Sequence, residues 1–265
     1  MIRNLRVATA GLVSLAAAAS GVLLTPAQAV PFGNLTLTVS AAPGTTAQGP
    51  GEFDLGGDST VDISIEQVDG GRAVTVPGPS LALSSAIQFP SYRDSATYYP
   101  RAALGLTPAF GQALSPESSD FKYGAVFRLD ETSSGGTLDD GDNLFQRGLY
   151  GEGSQFKLQL DHRYPSCLVR GSAGRVGVRS QAEVTPNEWY RVTCSRIGFE
   201  VTVAVTPYGG GDTERTSTSG GTGTLTFDAS LPASIGGKLG RSGSIAANAS
   251  DQFNGAVAKV WIKRL

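Results

Sequence analysis

The sequence contains few of the residues on which many hydrolases and metal sites depend. It has one histidine, two cysteines, one methionine and two tryptophans in 265 residues. A Ser-His-Asp triad would have to use His162, and no Gly-x-Ser-x-Gly turn accompanies that residue. Two cysteines without histidine support do not make a usual zinc site. The composition therefore disfavours a histidine-dependent hydrolase and a zinc protein.

The chain also lacks a strong excess of charge of either sign. Its formal net charge is −2 at pH 7, and its basic residues are scattered without a basic–aromatic stripe. Neither feature favours nucleic acid or anionic lipid as a partner. Beyond the N-terminal segment, no apolar run is long enough to span a membrane, and no sustained 3.6-residue pattern predicts a helix.

The N-terminal segment has the pattern of an export signal. Arg3 and Arg6 precede an apolar run from Val7 to Leu24, and Ala27-Gln28-Ala29 is a small-x-small cleavage site. This pattern predicts that residues 1–29 are a cleaved secretory signal peptide and that the protein is secreted or associated with the cell envelope. The alternative is that the apolar run, which is about long enough to span a bilayer, is retained as a membrane anchor.

Cys167 and Cys194 are predicted to form a disulfide bond. Thiols oxidise outside the cytosol, so two cysteines in an exported chain are expected to pair. On the chain-entropy model, closing a loop of this length stabilises the folded state by about 3 kcal/mol.

Glycine and proline are abundant, with 35 and 14 residues respectively. Such frequent turn residues suit many short strands, and several segments alternate apolar and polar residues with a period of two. The pattern predicts an all-β fold, a two-sheet antiparallel sandwich or jelly roll that residues 30–265 form as a single domain. The strand segments are Phe121–Leu129, Phe156–Leu160, Phe199–Val205, Leu35–Val39, Thr60–Ile65, Arg72–Val76, Leu225–Phe227 and Ala256–Ile262.

Two other segments are interpreted as connections between strands. Pro77-Gly78-Pro79 predicts a turn. The Thr-, Ser- and Gly-rich stretch Thr213–Gly223 predicts a long, mobile hairpin loop.

Three motifs follow one another in the C-terminal half. They are Trp189-Tyr190-Arg191-Val192-Thr193-Cys194, Ser234-Ile235-Gly236-Gly237-Lys238, and Phe253-Asn254-Gly255-Ala256-Val257-Ala258-Lys259-Val260-Trp261-Ile262. In this order they resemble the strands and turns of the laminin G-like, or concanavalin A-like, jelly-roll domains of secreted bacterial proteins. Leu81–Phe89 is the candidate opening strand of that fold.

The resemblance implies two curved antiparallel sheets whose first and last strands lie side by side. It also implies a surface that binds a glycan, a protein or calcium. Ala258 stands where the family's closing strand often carries Asp, which removes one familiar carboxylate. The residues themselves favour structural roles. Trp189 could fill the space between the sheets. Gly236 could allow a turn with positive φ, and Gly255 could allow a bulge.

Glycoside hydrolysis is the enzymatic alternative, because glucanases share this fold. Their catalytic pattern is Glu-x-Asp-x-x-Glu or a form one residue shorter. The nearest match is Glu52-Phe53-Asp54-Leu55-Gly56-Gly57, in which glycine occupies both positions that would hold the second glutamate. Without that acid/base the motif fails, and no catalytic residue is predicted.

An acidic loop is the candidate calcium site. Asp139, Asp140, Asp142 and Asn143 could together supply several of the hard oxygen ligands that calcium prefers. The alternative is an ordinary Asp-rich turn before a strand, since Asp and Asn tolerate turn geometry. No other cofactor is predicted.

Two aromatic groups are candidates for ligand contact. One is Tyr92, Tyr98 and Tyr99, and the other is Tyr150 near Arg147. Tyrosine rings beside Arg and Asp can stack on a sugar face and hydrogen-bond its hydroxyls. Trp261 is expected to point outward, although aromatics in a β-sandwich commonly lie in the core.

The sequence thus predicts a secreted, non-catalytic recognition module whose partner is a glycan or another cell-surface or matrix ligand. Two alternatives stay open: a structural or adhesive envelope protein without a small ligand, and a divergent glycan hydrolase or lyase.

Overall fold

The chain forms an all-β structure, seen in a computed structural model that describes residues 33–57, 60–93, 99–109, 114–133, 141–247 and 250–265. The predicted signal segment 1–29 and the candidate site residues Tyr98, Asp139 and Asp140 lie outside the described residues. Within the described ranges the chain has sixteen strands and one short 3-10 turn, Pro50–Glu52. No helix in this part of the chain is long and apolar enough to cross a bilayer.

The larger of the two antiparallel sheets, called here the large sheet, has nine strands in the order β14-β13-β12-β7-β16-β1-β5-β4, with β2 paired to β1. Its strands are β1 (Leu35–Val39), β2 (Phe53–Gly57), β4 (Val74–Ser80), β5 (Leu83–Gln88), β7 (Phe121–Leu129), β12 (Trp189–Ile197), β13 (Glu200–Pro207), β14 (Glu214–Ser219) and β16 (Gly255–Arg264).

The small sheet has seven strands in the order β11-β10-β9-β8-β15-β6-β3. Its strands are β3 (Val61–Val68), β6 (Arg101–Pro108), β8 (Asp142–Arg147), β9 (Gln155–Asp161), β10 (Tyr164–Gly171), β11 (Gly174–Arg179) and β15 (Ala233–Ile235).

The first and last strands lie side by side, as the resemblance implies. Leu37 on β1 pairs with Val260 on β16, and Ile87 on β5 pairs with Val257. The register of β16 shifts between Val257 and Lys259, three residues beyond the predicted bulge at Gly255. Gly255 has a different role, because a Cβ there would lie 2.2 Å from the carbonyl oxygen of Arg128. The closing strand therefore needs glycine at position 255 because the backbone of the neighbouring strand lies close to it. The bulge of this strand lies at another position.

The core lies between the two sheets. The predicted alternation of β7 is confirmed, since its inward side chains are fully buried. Aromatic rings join the sheets, with the centroid of Tyr123 on β7 5.0 Å from that of Phe156 on β9. The predicted disulfide is also confirmed: Cys167 on β10 and Cys194 on β12 are bonded across the sandwich, with Cα atoms 5.7 Å apart. This bond ties one sheet to the other through the core.

Four further sequence-based expectations about local structure are wrong. Leu225–Phe227 makes only an isolated bridge, between Leu225 and Glu117, because Phe227 turns into the core beside Phe156. Pro77-Gly78-Pro79 lies inside β4, where the register shifts between Pro77 and Ser80. Thr213–Gly223 contains β14, whose backbone pairs with β13. Trp189 does not fill the inter-sheet space, because it packs in an outer cluster with the Arg128 guanidinium 5.6 Å from its ring.

Candidate functional site

A groove on the outer face of the small sheet collects polar side chains. It encloses about 400 Å³ and crosses the outward side of β8, β9 and β10. Because side chains alternate along a strand, Phe156 and Leu158 point into the core while their neighbours face outward. The groove, called here the polar groove, is lined by Gln146, Gln155, Lys157, Gln159, Leu168, Asp142, Asp251, Lys238, Tyr150 and Arg175 among others.

Two amide side chains in the floor of the polar groove are held in fixed positions. Gln146 Nε2 donates to the carbonyl oxygen of Gly148 at 2.7 Å, and Gln155 Nε2 donates to the same oxygen at 3.1 Å. Gly148 has φ 87°, and a Cβ there would lie 2.1 Å from the carbonyl oxygen of Ser154, so the turn requires glycine. Gln146 Oε1 is buried and accepts no hydrogen bond from a described residue. This oxygen therefore keeps an unused capacity to accept a hydrogen bond.

One wall of the polar groove is built around Asp251. Its Oδ2 lies 2.7 Å from Lys157 Nζ, and its Oδ1 lies 3.1 Å from Lys238 Nζ. The Asp251 side chain is only 8% exposed, and the residue has φ 45°, a conformation that Asp tolerates. Each carboxylate oxygen is thus engaged by an ammonium group.

Tyr150 stands at one end of the polar groove, and the residue is 73% exposed. The guanidinium carbons of Arg170 and Arg175 lie 5.1 and 6.0 Å from the centre of its ring. Arg170 also donates to the backbone carbonyl oxygen of Tyr150, which fixes the loop between β8 and β9. The sequence-predicted candidate Tyr150 is therefore placed where a ligand could stack on it.

The other member of that candidate pair, Arg147, is corrected by the structure. Its side chain is fully buried, donates to the carbonyl oxygens of Leu231 and Asp228, and lies 4.8 Å from the centre of the Phe227 ring. Burial lowers the pKa of Arg147 to about 10, with Asp228 and Glu152 opposing the shift. Consecutive strand residues face opposite ways, so Gln146 faces the polar groove and Arg147 the interior.

The second tyrosine group does not lie in the polar groove. Tyr99 is 2% exposed and donates to Asn254 Oδ1 at 3.3 Å, so it is corrected from a ligand contact to an interior residue. Tyr92 is partly buried, with its ring centroid 5.6 Å from that of Tyr99.

The described half of the candidate calcium site is buried beside the polar groove. Ser133 N donates to Asp142 Oδ2 at 3.4 Å, and Asn143 Nδ2 donates to the carbonyl oxygen of Gly237 at 2.8 Å. Asn143 Oδ1 is buried without a hydrogen-bond donor among the described residues. The chain as described contains no cluster of three or more His, Cys, Asp or Glu that could hold a metal. Calcium binding by this loop stays a prediction.

Two other residues weighed for catalysis have structural surroundings. His162 occupies the turn between β9 and β10 with φ 57°, and its side chain is 85% exposed, as expected for a turn residue. Glu52 accepts hydrogen bonds from the backbone N–H groups of Gln48 and Gly49.

The sequence interpretation did not recognise the glutamines of the polar groove as a site. Their signal was present, since Gln155 and Gln159 alternate with the apolar residues of β9. Asp251 carries no such signal, because it is 94 positions from the lysine of β9 that it contacts.

Solved structures to which the chain is similar include two binding domains and a domain of an arabinanase. Domain 4 of AbnA, an extracellular GH43 arabinanase of Geobacillus stearothermophilus solved with arabinotriose, has a TM-score of 0.51 and 13% identity and covers 77% of this chain and 82% of that one. The binding domain of botulinum neurotoxin serotype G has a TM-score of 0.50 and 9% identity over 87% of this chain and 46% of that one. The binding domain of Paraclostridial mosquitocidal protein 1 has a TM-score of 0.48 and 12% identity over 77% of this chain and 43% of that one.

The first two likenesses show the fold. The chain spans less than half of the length of the last two structures. No curated protein matches the chain. The model of the laminin G domain matches residues 133–265, which include β8 to β16 and the residues that line the polar groove. That match covers half of the sequence and contains all three motifs that suggested the resemblance. The chain belongs to the laminin G domain family.

Proposed function

We propose that this protein is a secreted, non-catalytic recognition module that binds an uncharged oligosaccharide in the polar groove. The observation that carries the proposal is the fixed carboxamide of Gln146, whose buried Oε1 is free of protein donors among the described residues. A buried acceptor without a donor is unfavourable, and a sugar hydroxyl in the groove could supply that donor.

The composition of the polar groove suits a sugar better than an ion. Amide side chains can both donate to and accept from hydroxyl groups, and the exposed ring of Tyr150 can pack on a sugar face. The groove lining contains three cations, Lys157, Lys238 and Arg175, and three carboxylates, Asp142, Asp161 and Asp251, so the groove carries little net charge. A volume of about 400 Å³ lies within the range of small-ligand sites. The AbnA domain, which has the same fold, was solved with arabinotriose.

Binding without hydrolysis is favoured because the carboxylates that line the polar groove already contact other protein groups. A retaining glycosidase needs a nucleophile and an acid/base about 5 Å apart on either side of the scissile bond. Both oxygens of Asp251 are held by lysines, and Asp142 is 1% exposed and accepts a backbone hydrogen bond. The third carboxylate of the groove, Asp161, is paired with Arg179 and lies beside His162. Each of the three carboxylates is thus already engaged by a protein group, which disfavours a nucleophile and acid/base pair in the groove.

The location outside the cytosol is part of the proposal. It is supported by the export pattern of residues 1–29 and by the disulfide between Cys167 and Cys194, because structural disulfides persist in oxidising compartments.

A glycan array with the full chain tests the proposal. We expect binding to a set of related neutral oligosaccharides, and Gln146→Leu or Tyr150→Ala should weaken it about tenfold or more. Gln181→Leu, at an exposed glutamine outside the groove, is the matched control and should bind like the wild type. Absence of binding across the array would overturn glycan recognition and favour the adhesive alternative. Release of sugar products from a bound polysaccharide would show a hydrolase or lyase.

A further inference from the structure

One end of the large sheet carries exposed apolar side chains. Ile197 and Phe199 belong to the hairpin that joins β12 to β13, and Leu265 follows the end of β16. They are half of the six large apolar residues that are exposed in the described part of the chain, and Phe199 is 74% exposed. A single exposed apolar residue is ordinary on a protein surface, whereas a group of them marks an interaction site. The three residues are called here the apolar tip.

Strand pairing brings the members of the apolar tip together from distant positions in the chain. Phe121 on β7 lies between β12 and β16 and pairs with the residues that precede Ile197 and Leu265. Asp120 joins the two segments, because its carbonyl oxygen accepts a hydrogen bond from Leu265 N at 3.0 Å and its Oδ1 accepts one from Gly198 N at 2.8 Å. The hairpin and the end of β16 are therefore held as one surface.

The hairpin turn holds its apolar side chains away from the body of the protein. Only Gly198 and Phe199 separate the paired residues Ile197 and Glu200, so the turn is tight. A Cβ at Gly198 would meet no atom within 4 Å beyond its chain neighbours, so the turn stands in open space. The carbonyl oxygen of Phe199 accepts a hydrogen bond from Gly220 N at 2.8 Å. Because these backbone groups are already paired, moving the turn out of water costs less.

Three cations stand behind the apolar tip. Lys122 pairs with Ser195, two positions before Ile197, and it also pairs with Lys263. Two strand residues span about 7 Å, so these two lysines are attached one layer further from the turn than the apolar side chains. Arg264 is the third cation. None of the three forms a salt bridge with a described acid.

Two acids lie at the same end, and both are engaged by protein groups. Asp120 accepts the hydrogen bond from Gly198 N, and Glu200 Oε1 accepts one from Thr202 Oγ1 at 3.3 Å. Asp120 also lies near Arg196, where its charge opposes the lowering of the pKa of Arg196 by burial. Cations therefore outnumber carboxylates at this end, although the whole chain has a net charge of −2.

The order of groups at this end matches the order of groups in a bilayer surface. Apolar side chains stand foremost and cations stand behind them, as hydrocarbon lies beneath phosphate in a phospholipid layer. An interfacial element buries its apolar face about 5–10 Å into that boundary. We propose that the apolar tip docks the protein on a phospholipid surface, with Ile197 and Phe199 inserted and Lys122 and Lys263 against lipid phosphates. The charge of the whole chain gives no reason to expect this partner, and its distribution does.

The shape of the apolar tip favours lipid over a protein partner. A stable protein interface buries about 800 Å² on each side around a closely packed centre. The apolar tip offers three side chains on a two-residue turn and a strand end, which leaves no broad face for such packing. A fluid lipid layer can close around a narrow projection. The inference stands independently of the proposed function, because no member of the apolar tip lines the polar groove.

Co-sedimentation of the full chain with vesicles tests the proposal. One set of vesicles contains phosphatidylcholine alone, and the other contains equal parts of phosphatidylcholine and phosphatidylglycerol. We expect Ile197→Ser/Phe199→Ser to weaken binding to the mixed vesicles about tenfold or more. The matched control is Leu55→Ser/Leu81→Ser, which removes two exposed apolar side chains elsewhere and should bind like the wild type.

Two further measurements separate insertion from other causes. The tip variant should keep the thermal midpoint of the wild type, because both side chains are exposed. Lys122→Gln/Lys263→Gln should weaken binding to the mixed vesicles several-fold and leave binding to phosphatidylcholine alone unchanged, because only the former depends on charge. Gln146→Leu should bind vesicles like the wild type, which separates this result from the test of the polar groove.

Several outcomes would overturn the docking proposal. They are no binding of the wild type to mixed vesicles at low salt, equal weakening by the tip variant and its control, and wild-type binding by the tip variant. The last result would show adsorption by charge alone. Self-association of the wild type that the tip variant abolishes, without vesicle binding by either, would instead assign the surface to a second copy of the chain.

Discussion

The indole of Trp261 occupies the position that a side chain at Gly124 would fill on the neighbouring strand. A Cβ at Gly124 would lie 2.4 Å from Trp261 Cζ2 and 2.3 Å from the carbonyl oxygen of Val192. The pairing of β16 with β7 sets these two residues opposite each other. The glycine therefore allows the tryptophan to lie against the outer face of the large sheet.

Gly124→Ala should destabilise the fold by about 1–3 kcal/mol, because the methyl group meets both the indole and a backbone oxygen. The measurement is urea unfolding followed by tryptophan fluorescence. Gly177→Ala on β11 is the matched control, since a Cβ there meets nothing closer than 3.9 Å. Equal midpoints for both variants would contradict the packing described.

Loss of the disulfide should lower stability by about 3 kcal/mol on the chain-entropy model. Cys167 and Cys194 are fully buried, so Cys167→Ala/Cys194→Ala is preferable to reduction of the native protein. Urea unfolding of the double variant should match that of wild type unfolded and refolded with a reductant present throughout, because both chains lack the crosslink. Two free thiols in the secreted wild type, seen by mass spectrometry under non-reducing conditions, would contradict the bond.

Asp251→Asn should destabilise the protein by about 2 kcal/mol, because it leaves two partly buried ammonium groups without their shared carboxylate. Asparagine tolerates the positive φ at this position, so the backbone is not the cause. Asp161→Asn is the control: that carboxylate pairs with Arg179 at an exposed site, where a salt bridge contributes about 0–1 kcal/mol. Chemical denaturation at neutral pH measures both, and a similar loss in each would argue against the proposed wall.

Glu214 should make stability depend on pH in the acidic range. Burial raises the pKa of Glu214, but hydrogen bonds from Ser180, Thr216 and Gln181 outweigh it and lower the pKa below the ordinary 4.5. A folded-state pKa below the unfolded one adds stability above about pH 4.5, and this is lost as the pH falls through the folded value.

Glu214→Gln should therefore be less stable than the wild type at neutral pH, and the difference should vanish in strong acid. Urea unfolding at a series of pH values measures it. Glu200→Gln, on the neighbouring strand, is the control. A difference that grows on acidification would show the opposite sign of linkage.

Calcium should raise the melting temperature if the acidic loop binds it, because the ion would bind the folded state alone. We expect affinity nearer the millimolar range, since few side-chain oxygens are available. Thermal melts with chelator and then with millimolar calcium test the wild type and Asp140→Ala/Asp142→Ala. Asp212→Ala, at an exposed turn acid, is the control. No shift in the wild type would leave the loop as an ordinary acidic turn.

Strand positions could be predicted where alternation was strong, and β7 begins and ends as expected at Phe121 and Leu129. The prediction failed where pairing overrode composition. Thr213–Gly223 has few apolar residues, yet β14 forms there because β13 offers its backbone hydrogen bonds. Tyr150 could be identified from its neighbours in sequence, whereas Arg147 could not be assigned to the interior without the register of β8.

The sequence by itself determined the all-β class, the partner of each cysteine and the family, because these depend on local alternation, on a count of two and on ordered motifs. Only the tertiary structure decided the polar groove. Gln146 and Asp251 line it together although they are more than 100 positions apart in the chain. Strand pairing and register depend on the whole sheet, and they bring such residues together. The order of residues along the chain does not show which of them become neighbours in space.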